Sequence, residues 1–267
     1  MTAAGKVRVG VGGWTFEPWR GVFYPADLVQ KNELAYAAER LTAIEVNGTF
    51  YGAQKPESFA RWAAETPDGF VFSLKGPRYA TNRRVLGEAG ESVERFLDGG
   101  MKELGDKLGP LMWQLPATKK FDAADIEAFL RLLPPERHGL KLRHVIETRH
   151  DSFADPAFVD LLRSADADVT PVVLDDPDHP MIADVAADFV YLRLERAQED
   201  VETGYRSEDL DAWAKRLKTY AEGGTPGDLP TLTAVKPAKK PRDVFAFFIS
   251  GAKVRNPAAA MAMIGRL

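Results

Sequence analysis

Eight short runs rich in branched and aromatic residues recur along the chain, separated by stretches of helical periodicity, and this alternation constrains the fold more than any other feature. The runs occupy residues 7–14, 43–50, 70–75, 111–115, 144–149, 170–174, 189–194 and 244–249. Their lengths and the turn residues at their ends fit buried strands. The intervening segments carry one apolar face each. Leu34, Ala38 and Leu41 share a helix face, and Phe59 and Trp62 follow Pro56, placed where a helix start tolerates proline. Ile126, Phe129, Leu130 and Leu133 follow Asp122, an expected N-cap. Phe158, Leu161 and Leu162, then Trp213, Leu217 and Tyr220, continue the pattern. Such repetition implies a parallel sheet covered by helices. Eight strands favour closure into a (β/α)8, TIM-barrel-like α/β fold over an open sheet, and 267 residues suit one such domain spanning 1–267.

Two segments break the alternation. Residues 195–207 are polar. Residues 223–242 are rich in glycine and proline, carry Lys236, Lys239, Lys240 and Arg242, and leave room for a short strand at 231–235. The basic run reads as a solvated loop. A formal net charge of −4 gives no bulk attraction to nucleic acid or to an acidic membrane. With no cysteine in the chain, disulfides, thiolate nucleophiles and thiolate metal sites are excluded. No apolar signal core lies between Met1 and Lys6, and no stretch has the length of a bilayer span, so a cytoplasmic protein is expected.

Side chains alternate across a strand, so parity predicts which residues share a face. Glu45, Asn47 and Thr49 share parity in the second run, Ser73 and Lys75 in the third, Glu147 and Arg149 in the fifth, and Tyr191, Arg193 and Glu195 in the seventh. Gln114 lies late in the fourth run, Asp175 and Asp176 follow the sixth, and His150 follows the fifth. The charges gather at C-terminal strand ends, the face on which such barrels build their active sites. Burying a charge costs several kcal/mol unless it is paired, so the cluster is either a shared polar pocket or a self-neutralised ionic layer closing the barrel. Gly10-Val11-Gly12-Gly13 begins like a dinucleotide fingerprint but has Thr15 where its last glycine belongs, leaving only the expectation that the glycines admit an anion to backbone amides. His150-Asp151-Ser152 holds triad residue types, but adjacent residues cannot take triad geometry. Trp14, Trp19, Phe23 and Tyr24 either wall the pocket or cover the barrel end.

Several motifs, in order, resemble the YecE-like family, known as domain of unknown function 72. They are Gly12-Gly13-Trp14, Trp19-Arg20-Gly21-Val22-Phe23-Tyr24-Pro25, Glu45-Val46-Asn47-Gly48-Thr49-Phe50-Tyr51, Thr66-Pro67 and Phe72-Ser73-Leu74-Lys75. Leu104-Gly105-Asp106-Lys107-Leu108-Gly109-Pro110, Gln114-Leu115-Pro116 and Glu147-Thr148-Arg149-His150-Asp151-Ser152-Phe153 complete them. The resemblance implies a TIM-barrel-like fold and brings no established reaction. It weakens in the C-terminal third. The family pattern ends its seventh strand in arginine-leucine-histidine-glycine, where this chain has Arg193-Leu194-Glu195-Arg196. It ends its eighth in asparagines, where this chain has Phe248-Ile249-Ser250-Gly251.

Three functional expectations follow. In the first, the barrel is a metal-independent enzyme for a small anionic substrate bearing phosphate or carboxylate. Glu45, Glu147 and Lys75 would be catalytic, and Trp14, Asn47, Gln114, Arg149, His150, Asp175, Tyr191 and Arg193 would bind substrate. In the second, the same fold binds a ligand or partner without turnover. In the third, Glu45, Glu147, Asp175 and His150 hold a divalent metal for hydrolysis or isomerisation. The sequence specifies neither a cofactor nor an oligomeric state.

Overall fold

The computed structural model describes residues 4–235 and 237–267. Eight parallel strands close into a barrel in sequence order: β1 (Val7–Gly12), β2 (Ala43–Val46), β3 (Val71–Lys75), β4 (Leu108–Gln114), β5 (Arg143–Glu147), β6 (Asp168–Asp175), β7 (Phe189–Leu194) and β8 (Asp243–Phe248). The ring closes where β8 pairs with β1, Val7 opposite Val244 through Val11 opposite Phe248. The α/β barrel expected from the alternation is the architecture observed. Among the described residues, no helix is long and apolar enough to cross a membrane.

The outer layer consists of α1 (Glu33–Ala38), α2 (Pro56–Ala64), α3 (Gly90–Leu97), α4 (Ala123–Leu130), α5 (Pro156–Ser164), α6 (Ser207–Ala221) and α7 (Asn256–Ile264). Asp122 caps α4 as its position predicts, accepting from the amides of Ala124 and Asp125. No helix joins β6 to β7; residues 176–188 cross irregularly. The segment 231–235 is not a strand either. Buried Asp184 accepts from the amides of Leu232 and Thr233, at 2.7 and 3.0 Å, and from the Thr233 hydroxyl. A carboxylate thus takes the donors a neighbouring strand would have used. Lys236 and residues 1–3 lie outside the described residues.

Two apolar zones hold the barrel. The larger packs the outward faces of the strands against the helices. The smaller fills the lumen with Ala43, Val71, Met112, Val145, Val172, Leu174, Phe189, Tyr191, Phe245, Phe247 and Ile249. Phe189 and Phe245 belong to the N-terminal end of that lumen, while Ile249 reaches the cavity at the other end. β4 bulges at Gly109-Pro110 against β3, and the Pro110 carbonyl accepts from the Ser73 hydroxyl at 2.8 Å.

Candidate functional site

The C-terminal end of the barrel opens into a cavity of about 650 Å³. Its floor is the upper side of an ionic layer whose core is Arg193, near the end of β7. Its Nη1 donates to Glu147 Oε2 at 2.6 Å, and its Nε and Nη2 donate to the two oxygens of Glu45 at 3.2 and 3.3 Å. Tyr191, two residues earlier on the same face, donates its hydroxyl to Glu45 Oε2 at 2.7 Å and stands 2.9 Å from the Ser73 oxygen. Glu147 accepts further from Arg149 Nε and Gln114 Nε2, both at 2.6 Å. Glu45 and Glu147 are wholly buried.

These contacts set the protonation of the layer. Burial alone would raise Glu147, but Arg193, Arg149 and the Gln114 amide reverse that and hold it low, at about 2. Tyr191 is pushed well above its usual range by burial and by the neighbouring Glu45 charge. Glu195, one residue past β7, is pushed up to about 7 by burial, although its Oε1 is 2.9 Å from Arg193 Nη1. Among the described residues that oxygen makes no hydrogen bond, because the guanidinium already aims its protons at Glu45 and Glu147.

Glu147 fixes a second feature. As an ionised carboxylate it can only accept, so the Gln114 amide must present NH2 to it and its oxygen to the other side. There Gln114 Oε1 accepts from Lys75 Nζ at 2.7 Å. Lys75 ends β3, is largely buried, and stands 4.3 Å above the Phe50 ring. Its pKa is lowered, first by burial and then by Arg193, against the opposing pull of Glu45 and Glu147. Among the described residues it makes no ion pair.

The cavity is lined by Trp14, Asn47, Lys75, Gln114, Arg149 and Arg193 among the residues expected from sequence. The others lie elsewhere. Glu45, Glu147 and Tyr191 do not reach the lining and support it from below. Asp175 falls on the opposite strand face from Leu174, whose side chain fills the lumen, and pairs with Arg196 at 2.7 Å outside the mouth. His150 caps a helical turn at Asp151–Phe153, its Nδ1 accepting from the Ser152 amide. The expected metal set of Glu45, Glu147, Asp175 and His150 therefore does not converge, and no group of three such ligands forms among the described residues. The Gly13 amide is not open to an anion, since it donates to the Glu45 carbonyl at 2.8 Å. Gly13 nevertheless serves the turn over the mouth, at a φ of +72° that favours glycine.

Sequence parity missed the part of the lining that loops contribute. Ser250, Lys253 and Asn256 come from the segment after β8, Tyr51 and Gln54 from the connection after β2, and Trp62 from α2. Lys253 Nζ lies 4.4 Å from the Phe16 ring centroid, and burial lowers its pKa. Its backbone is held by Trp19, whose indole donates to the Lys253 carbonyl at 2.9 Å. Of the four aromatics, one reaches the cavity. Trp14 walls the cavity, packed edge-on to Trp62 at 5.1 Å, while Trp19, Phe23 and Tyr24 are buried as its brace.

Residues 8–267 match the family described as protein of unknown function DUF72. YecE of Escherichia coli K12 is 34% identical over 111 residues, a stretch covering 40% of this chain and only 40% of that protein. The crystal structure of a DUF72 family protein from Thermotoga maritima superposes with a TM-score of 0.72 at 22% identity, covering 97% of this chain and 98% of that one. One from Enterococcus faecalis gives 0.71 at 15% identity, covering 98% and 95%. At those identities the likeness carries the fold alone.

Proposed function

The chain belongs to the DUF72 family of proteins of unknown function, and from that premise we propose that its barrel mouth binds a small anion-bearing molecule and acts on it through protein side chains. One observation carries this reading. Four cations, Lys75, Arg149, Arg193 and Lys253, line the cavity, while the carboxylates Glu45 and Glu147 are held below it. Arg193 and Arg149 are matched by those carboxylates, but Lys75 and Lys253 have no acidic partner among the described residues. A phosphate or carboxylate entering the cavity would supply the missing charge, with Arg149 offering a planar fork of donors. The N-terminus of α7 begins at the lining residue Asn256, which adds the positive end of a helix dipole.

The acid–base pair expected from sequence is the part this geometry changes. Glu45 and Glu147 fix the cations and the Gln114 amide, and a substrate in the cavity would meet those groups first. The reading is tested by titrating the protein with inorganic phosphate, citrate and pyruvate while following thermal unfolding. A ligand at 100 times its Kd stabilises by about 2.7 kcal/mol. At least one anion should raise the melting temperature, and Arg149→Ala should weaken that anion at least tenfold, about 1.4 kcal/mol. Indifference of the wild type to all three would remove the reading.

The sealed position of Glu45 and Glu147 also favours a second reading, a binding protein without turnover. Native mass spectrometry of freshly purified protein separates the two. A bound metabolite recovered unchanged after long incubation supports binding alone, and its conversion supports an enzyme.

A further inference from the structure

The distinctive group in the mouth is Lys75. The side chains around it come from every neighbouring element: Glu45 from β2, Phe50 from the helical turn after β2, Gln114 from β4, Glu147 and Arg149 from the end of β5, and Arg193 from β7. The backbone is pinned as well, since the Thr49 hydroxyl donates to the Lys75 carbonyl at 2.7 Å. Each carboxylate in that ring is turned toward an arginine, so none accepts from Nζ. Among the described residues, the single hydrogen bond Nζ makes is to the neutral Gln114 oxygen, and the ring of Phe50 lies against it. In its neutral form, an amine so placed keeps one N–H on Gln114 and has its lone pair free for the cavity. Lysines become nucleophiles in such surroundings, being desolvated and set beside other cations.

We propose that Lys75 is a catalytic nucleophile that forms a covalent imine with an aldehyde or ketone carrying a carboxylate or phosphate. The proposal rests on the anion-binding reading above and names the substrate class for the same cavity. The amine nitrogen attacks the carbonyl carbon, and the oxygen takes up a proton to give a carbinolamine. That hydroxyl leaves as water on further protonation, while the nitrogen pair forms the C=N bond. In net terms Lys75–NH3+ and O=CR2 become Lys75–NH+=CR2 and H2O, so no oxidant or other reactant is required. The anionic group of the substrate would rest on Arg149 and Lys253 in the same cavity, and the protonated imine would then withdraw electrons from the adjacent carbon. Lowering of the Lys75 pKa by burial and by Arg193 enlarges the neutral, attacking fraction near neutral pH.

The test uses the full chain with glyoxylate, pyruvate and dihydroxyacetone phosphate as probes and acetone as the uncharged control. Each is incubated with sodium cyanoborohydride, which reduces an imine to a stable secondary amine. Intact mass and peptide mapping then locate the adduct. The expected result is one adduct per chain on Lys75 with at least one anionic probe, formed at least tenfold faster than with acetone. Lys75→Arg, which retains the charge but has no nucleophilic amine, should lose the adduct. Stabilisation of the wild type by these anions without trapping at Lys75 would overturn the imine and leave the anion site standing. Absence of both would overturn the two together. Adducts scattered over surface lysines, a sole adduct at Lys253, or equal trapping of acetone would each defeat the assignment.

Discussion

Around Arg193, two glutamates in contact with the same guanidinium are driven in opposite directions. Glu147 receives hydrogen bonds from three side chains and is held at about 2, below its usual 4.5. Its contribution to stability is complete above pH 4.5 and is lost as pH falls toward 2. Glu195 has the charge beside it without the hydrogen bond, so burial wins and its pKa rises to about 7. Here the sign reverses. Between pH 4.5 and 7 the folded chain keeps a proton that the unfolded chain has released, so Glu195 destabilises increasingly as pH rises. Glu195→Gln removes that cost while preserving shape. It should stabilise the protein by on the order of 3 kcal/mol at pH 8, at about 1.36 kcal/mol per pKa unit, and change little at pH 4. Urea unfolding at the two pH values checks this; a gain of equal size at both would mean that something other than ionisation is at work.

At the scale of elements, the strands were legible because their apolar runs had the right length and punctuation. The mouth was legible only as far as parity could be followed. Parity ends with the strand, and β2 stops at Val46, so Thr49 sits in a helical turn rather than on a strand face. Asp175 was misplaced because the register puts Leu174, not its neighbour, in the lumen. Lys253 had no signal at all, since its place depends on a long-range bond from Trp19. The missing strand at 231–235 has the same cause, a distant side chain. Asp184 holds that backbone from its place in the β6–β7 connection. Asp184→Ala should therefore free the 223–242 segment selectively. Hydrogen bonds to a charged group contribute about 1.5–3 kcal/mol each, so losing them should speed proteolytic nicking of that loop at least tenfold. Limited proteolysis with mapping of the first cut decides it. A first cut elsewhere at an unchanged rate would show that Asp184 does not hold the segment.

For the whole molecule, the formal charge of −4 and the cationic mouth act against each other on an approaching anion. The attraction must be local, reaching about one Debye length, which shrinks from about 30 Å at 0.01 M salt to about 8 Å at 0.15 M. Two charge reversals separate local from global fields. Lys253→Glu and Lys240→Glu each take the formal charge from −4 to −6. Lys253 lines the mouth, whereas Lys240 precedes β8 at the opposite end of the barrel and pairs with Asp188 at 2.5 Å. If the site is local, Lys253→Glu weakens anion binding at least tenfold and Lys240→Glu leaves it nearly unchanged at 0.15 M salt, where opposite ends of a barrel are screened from each other. At 0.01 M salt Lys240→Glu should begin to matter, since the longer reach of the field lets net charge contribute. Calorimetric titration of an anion that stabilises the wild type supplies the comparison. Equal loss from both reversals at 0.15 M would assign the attraction to overall charge and take the mouth out of the account.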